Sequence, residues 1–386
     1  MSENERLMTG QTIPDPPHSV TEPLKRYSGG PQPADSEDSL VDSDLGNSWT
    51  SDFVPRRFLR NGHLQTLAGN FLRRRFMTPE PEPLLVEVEG PIAGYGPSHV
   101  LCHCHWQPPE VRCDRLTVVI VHGLEGSSHS QYVLGNTARA LAAGMNVVRM
   151  NMRSCGGADE LCPTIYHSGR SEDVAAVLAK IIETQNVREI ALIGYSMGGN
   201  LVLKYTGEVA ADPPLQLKAV VGISPLMDLW PSSAALHRLQ NRIYERHFLR
   251  NMLARIRRKI ALFPNIYSSQ GLESIRSMRL FDEHIVARYG GFSSADDYYH
   301  RVASSRFAAS FHVPTLIVHS LDDPFIVMLP ETRSALMENP HVSYMETQHG
   351  GHCAFLSPAP ADDGYWAEKT LIGYLTAHAS QPIHGS

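Results

Sequence analysis

The pentapeptide Gly194-Tyr195-Ser196-Met197-Gly198 sets a serine between two glycines with the spacing G-x-S-x-G. An apolar run at 190–193 precedes it and a helical stretch from Asn200 follows. Strand, sharp turn and helix in that order expose a serine hydroxyl as a nucleophile. The flanking glycines let the backbone bend tightly without a Cβ clash. The helix N-terminus behind the serine favours negative charge. No second G-x-S-x-G occurs in the chain.

A serine hydroxyl is a weak nucleophile near neutral pH and needs a base, which in turn needs an acid to orient it. In this type of sheet the chain order is Ser, then acid, then His. Two clusters downstream fit that order: Asp322-Asp323-Pro324, and His349-Gly350-Gly351-His352. One member of each pair is expected to serve the reaction. The other is expected to make a turn, cap or backbone bond. The negative charge that develops on the acyl oxygen needs two backbone N–H donors. Met197 offers one, as the residue after the serine. The loop His122-Gly123-Leu124-Glu125-Gly126 offers the other, at Leu124.

The elements that would carry these residues read as an alternating series. Segments 84–89 and 99–106 suggest an antiparallel pair. Short apolar runs at 116–121, 146–151, 189–194, 217–223, 314–319 and 342–347 read as strands. Helical patterns at 131–143, 171–184 (with Ser171 as N-cap), 196–211, 329–338 and 365–378 separate them. This pattern predicts an α/β fold, a mostly parallel central sheet with helices on both faces. The alternation stops between Ser224 and Phe311, where Leu236, Leu239 and Ile243, then Leu249, Met252, Leu253, Ile256 and Ile260, give a helical pattern. We expect a helical lid inserted before the last strands, at about 226–310.

Taken together, these residues resemble the α/β-hydrolase superfamily and, within it, the YheT-like carboxylesterase branch. The likeness runs over most of 53–378. It includes Asn61-Gly62-His63-Leu64-Gln65-Thr66, His122-Gly123-Leu124-Glu125-Gly126-Ser127, Asn151-Met152-Arg153-Ser154-Cys155-Gly156, Tyr166-His167-Ser168-Gly169, the serine turn, Asp322-Asp323-Pro324-Phe325 and His349-Gly350-Gly351-His352. The serine turn marks the superfamily; the N-G-H-L-Q-T and H-G-L-E-G-S-S strings narrow it to the branch. The resemblance implies Ser196 as nucleophile, Asp323 as acid and His352 as base. It implies esterase activity on short- or medium-chain acyl esters, with some relatives acting on phospholipids or passing acyl groups to alcohols.

The 386 residues carry a net charge of −6 and 42% hydrophobic residues, which demotes nucleic-acid partners and excludes whole-chain disorder. Ten acids against three bases fall in residues 1–52, so the rest is nearly neutral. Residues 1–52 read as a disordered, acidic, Pro/Ser-rich tail ahead of a hydrolase domain at 53–386. No apolar run reaches the length of a membrane-spanning helix. Six cysteines without a disulfide pattern, and no visible signal peptide, favour the cytoplasm.

Cys102-His103-Cys104-His105 invites a metal reading, but side chains alternate along a strand and four ligands cannot converge from it. No metal and no cofactor is expected. Cys353 reads as a small loop residue beside His352. Residues 238–259 hold eight positive charges against Glu245, among them Arg238, Arg242, Arg246 and Arg250. A solvated helix face is the default for them. The alternative is peripheral contact with anionic lipid, to which Arg73-Arg74-Arg75 would add. Glu125, Arg153 and His167 are expected near the site without a role in the reaction. The expected function is hydrolysis of small-molecule carboxylic esters through an acyl-enzyme on Ser196. The rival readings are an acyltransferase, or a silent binding protein on the same scaffold.

Overall fold

A strand with apolar side chains on both faces requires cover on both sides, and the central strands meet that demand at every position. Thr117–Val121, Asn146–Met150 and Ile190–Tyr195 are buried throughout. The computed structural model describes residues 51–89, 95–359 and 363–380. The tail expected at 1–52 lies, but for its last two residues, outside them. All described residues belong to one compact unit, Asn47–Ser386.

The eight strands in chain order are β1 (Glu82–Val88), β2 (Ser98–His105), β3 (Thr117–Val121), β4 (Asn146–Met150), β5 (Ile190–Tyr195), β6 (Leu217–Ile223), β7 (Thr315–Ser320) and β8 (Val342–Thr347). They form one sheet in the order β1-β2-β4-β3-β5-β6-β7-β8. β1 and β2 are antiparallel to each other, and β2 is antiparallel to β4; the other neighbours are parallel. β1, at the edge, alternates exposed and buried positions, as a half-solvated strand should. The chain steps from β3 outward to β4, then returns past β3 to β5. That reversal is where an open α/β sheet gathers its loops into a crevice.

Helices Gln131–Ala142 and Trp366–His378 cover one face. Ser171–Gln185 and Met197–Glu208 cover the other. Ser171 does not cap its helix: it is the first helical residue. Its hydroxyl instead donates to Glu208 at 2.6 Å and accepts from Lys204 at 2.8 Å.

Between β6 and β7 lies the helical insertion, with helices Leu229–Leu236, Arg242–Leu262 and Ala295–Val302 and a π-helical turn Asp282–Ala287. Leu249, Met252 and Ile256 of the long helix are buried, as the apolar pattern predicts. Each such side chain removed from water contributes about 1.5–3 kcal/mol. Leu239 and Ile243 depart from the pattern: they are exposed and lie outside the core.

Candidate active site

Register brings the two loops of the site together. Val121, at the end of β3, pairs with Gly194 of β5, so the 122–126 loop and the serine turn leave the sheet side by side. A Cβ on Gly194 would meet the Gly198 carbonyl oxygen at 2.3 Å, and one on Gly198 would meet the His122 carbonyl oxygen at 2.4 Å. Both glycines are therefore demanded by close backbone approach. Ser196 itself sits at φ 54°, ψ −116°, a strained conformation held by the strand before it and the helix after it.

His352 Nε2 lies 2.9 Å from Ser196 Oγ, and its Nδ1 lies 2.8 Å from Asp323 Oδ2. The other carboxylate oxygen of Asp323 accepts the backbone N–H groups of Phe325 and Ile326 at 3.1 and 2.9 Å. Burial pushes the Asp323 carboxyl up, but His352 and these donors outweigh it and hold it below its ordinary range. For His352, burial pushes the imidazole down. The Cys353 sulfur and the Asp323 carboxylate outweigh it and raise the imidazole above its ordinary value. Cys353 is not remote from the chemistry: its Sγ is 3.6 Å from His352 Nε2.

The alternative pair finds other work. Asp322 Oδ1 accepts the Gly351 N–H at 2.9 Å, and its Oδ2 lies 3.3 Å from His349 Nδ1. Asp322 and His349 thus brace the loop that carries His352.

The N–H groups of the 122–126 loop account for its shape. Gly123 donates to Tyr132 Oη at 2.8 Å, Glu125 to Tyr166 Oη at 3.2 Å and Gly126 to the Gly123 carbonyl at 3.0 Å. Leu124 N–H has no partner among the described residues, and Met197 N–H likewise has none. Both residues line the same cavity as Ser196. Behind the loop, buried His122 is held neutral, its pKa lowered to about 4 by burial. Its Nδ1 donates to the Gly123 carbonyl, and its Nε2 accepts Met152 N–H.

Three supports were not assigned from sequence. Arg255, on the long insertion helix, donates to Glu125 at 2.9 Å and to the Ser154 carbonyl, while Tyr166 Oη donates to Glu125 at 2.7 Å. Thr66 Oγ1 accepts His352 N–H at 2.8 Å, and Gln65 exchanges two hydrogen bonds with the Leu356 backbone. A Cβ on Gly62 would meet the Asp322 carbonyl oxygen at 1.8 Å. The N-G-H-L-Q-T string therefore seats its helix against the acid and base loops. In sequence the string carried only the branch resemblance, because its hydrogen-bond partners His352 and Leu356 lie some 290 residues away in the chain.

Arg153 is buried, pairs with Asp173 and is not among the residues lining the cavity. His167 lines the cavity and is held neutral by burial. Cys102 and Cys104 are buried in the core, while His103 turns to Ser128 Oγ at 2.8 Å. Among the described residues no group of three His, Cys, Asp or Glu is placed to hold a metal ion.

A family model described as the alpha/beta hydrolase fold matches residues 117–359. The chain belongs to that family. Within the α/β-hydrolases its branch is that of YheT, a candidate esterase of Escherichia coli (strain K12). It is 31% identical to that protein over 336 residues, covering 86% of this chain and 95% of the relative. It is also similar to the mouse phospholipase ABHD3, at 26% over 256 residues, 66% of this chain and 60% of that one. The fold matches the Pyrococcus furiosus esterase Pf2001 with a TM-score of 0.50, 14% identity, and coverage of 78% of this chain and 91% of that one.

Proposed function

We propose that this chain hydrolyses carboxylic esters through an acyl-enzyme on Ser196. The observation that carries the reading is the His352 imidazole set between Ser196 Oγ and Asp323, at hydrogen-bond distance from both. Ser196 Oγ attacks the acyl carbonyl as His352 Nε2 takes its proton. Asp323 accepts the Nδ1–H bond, fixes the tautomer and stabilises the imidazolium. The N–H groups of Leu124 and Met197 receive the oxyanion. His352 then protonates the leaving alcohol, and water activated by the same nitrogen releases the acid.

The cavity wall is mainly apolar, with Leu229, Leu236, Phe248, Met252 and Val286 from the insertion. That lining suits the acyl chain of an ester, and the insertion acts as its lid. The names carried by the relatives, an esterase and a phospholipase, point the same way. The test is labelling of Ser196 by a fluorophosphonate, with turnover of a nitrophenyl ester series of increasing chain length. Ser196→Ala should abolish both. An unlabelled, inactive parent would leave the silent binding protein.

We further infer that the mouth of the site meets an anionic lipid surface. Four aliphatic side chains around it stand in water: Leu64 (49% exposed), Leu239 (78%), Ile243 (74%) and Leu321 (53%). They adjoin segments that touch one another. Gly62 abuts Asp322, the His63 ring stacks on Tyr244, and Asn241 Nδ2 donates to the Pro324 carbonyl at 2.6 Å. Arg60, Arg238, Arg242 and Arg246 are exposed on the same segments, and none makes an ion pair among the described residues. Nearby acids are engaged: Glu245 by His237 and the Met278 N–H, Asp322 by Gly351. Apolar groups ringed by free arginines match an acyl and phosphate boundary. The eight-charge stretch contributes only in part, because Arg255 and Lys259 are buried. Arg74 is likewise withdrawn from any such surface by Glu368 and Asp363.

A further inference from the structure

The cavity that holds Ser196 contains a carboxylic acid for which simple ester hydrolysis has no use. Asp282 stands at the start of the π-helical turn and lines the cavity on the insertion side. π-Helical turns occur disproportionately at functional sites. Asp282 Oδ2 accepts one hydrogen bond, from Tyr299 Oη at 2.6 Å. Tyr299 has a single proton and gives it there, so the contact of Ser233 Oγ with Tyr299 Oη at 3.0 Å has Ser233 as donor. The chain Ser233 to Tyr299 to Asp282 therefore runs in one direction and ends on the acid. Its second oxygen has no protein donor among the described residues.

The nearest cation does not supply one. Arg279 is committed to Asp296 through two bonds of 2.9 Å. Glu283 is taken by the Ala295 N–H, and Tyr298 Oη accepts the Ser168 N–H. His167, across the cavity, is neutral. Asp282 is half-buried and lies among the residues that line the cavity. A half-buried acid that served structure alone would gain by pairing both oxygens, since an acceptor withdrawn from water and left unpaired costs more than a made bond returns. One oxygen is instead left for what enters the pocket.

We propose that Asp282 forms a hydroxyl-binding subsite, so that the preferred substrates are carboxylic esters bearing a hydroxyl on the arm that reaches the insertion. The proposal rests on the ester-hydrolase reading of Ser196. A hydroxyl is favoured because it pairs with this acid in either protonation state. It donates to the carboxylate and accepts from the carboxylic acid. Burial brings the Asp282 carboxyl up to about 7, so both states occur near neutral pH. A cationic group would have to be stripped of water among apolar walls for a single counter-charge. A plain alkyl chain would leave the acid unpaired and, once ionised, facing hydrocarbon.

The experiment compares matched ester pairs that differ by one hydroxyl, placed on the acyl arm in one series and on the alcohol arm in the other. For the full chain, kcat/KM for the hydroxylated member should exceed that of its plain partner by about tenfold in one series. Asp282→Leu should raise kcat/KM for the plain ester and remove the preference, with melting temperature as the check on folding. In Asp282→Asn, which cannot ionise, the hydroxylated-to-plain ratio should no longer change with pH. In the parent it should increase through pH 7, as the carboxylate turns against plain chains. Calorimetric binding of the same pairs to Ser196→Ala protein reads the subsite without turnover. Equal binding there, or an equal ratio in parent and Asp282→Leu, overturns the subsite while plain-ester turnover persists. An ester-hydrolase failure shows instead as no turnover of any ester by the parent.

Discussion

Arg255 reaches from the insertion to Glu125 in the loop after β3, closing a gap of 130 residues with a 2.9 Å bond. Both side chains are nearly buried, and Glu125 sits at φ 56°, a left-handed conformation unusual for a residue with a Cβ. Glu125 directly follows Leu124, whose N–H faces the site in the proposed mechanism. The long helix thus fixes the residue beside the proposed oxyanion donor, and Tyr166 holds the same carboxylate.

Removing that clamp should weaken the transition state more than substrate binding. Arg255→Met leaves the Glu125 carboxylate with Tyr166 alone and frees the strained loop to relax. We expect kcat to fall about 10–100-fold, short of the full loss of one oxyanion donor, with KM changed little. Arg255→Lys, which keeps the charge but not the fork to the Ser154 carbonyl, should recover part of it. A change confined to KM would show that the pair shapes the pocket instead.

The choice between neighbours in the acid and base clusters is testable by single substitutions. Asp323→Asn should cost about 10³–10⁴ in kcat by leaving His352 in the wrong tautomer, and His352→Gln at least as much. Asp322→Asn and His349→Gln should cost far less, since those two groups brace a loop. If kcat collapses in either of the latter and not in its neighbour, the assignment is reversed.

The sheet and the serine turn were legible because strand burial and close backbone packing are written locally, as in the run before Gly194. Asp323 and His352 were reducible by local reasoning only to pairs, because direction at a loop depends on contacts made far off in the chain. Thr66, which receives the His352 N–H, is one such contact. The solvated face expected for 238–259 fails only at Arg255 and Lys259, for a related reason. These two find inward partners in loops that no periodicity locates. Asp282 and Tyr299 were not singled out, since neither belongs to a spacing pattern and only the insertion's fold brings them to Ser196.

Vesicle sedimentation tests the lipid-facing mouth. Each exposed arginine near an anionic surface is worth about 1 kcal/mol. Arg238→Gln, Arg242→Gln and Arg246→Gln combined should lower partition onto vesicles containing phosphatidylglycerol by about 100-fold. Leu239→Ser with Ile243→Ser should lower it as well, while turnover of a water-soluble short ester stays near the parent rate. A parent that fails to sediment, or variants that sediment as it does, would return these side chains to ordinary solvated surface.

Cys353 gives the pH dependence a handle. His352 must be neutral to take the Ser196 proton, so activity should rise with pH through the imidazole pKa. In the free enzyme kcat/KM reports that value. Burial lowers it, but Cys353 and Asp323 together raise it above the ordinary histidine value. The rising limb should therefore lie on the alkaline side of about 6.5, the unperturbed position. The Cys353 sulfur, 3.6 Å from Nε2, favours the charged imidazolium over the neutral ring. Cys353→Ala removes that influence, so less free energy favours the charged form and the pKa must fall. The limb should move to lower pH while the plateau rate changes little, since Asp323 still orients the ring. The check is a kcat/KM profile from pH 5 to 10 for parent and variant with one soluble ester. A limb that stays in place, or moves to higher pH, would show that the sulfur has no influence on the base.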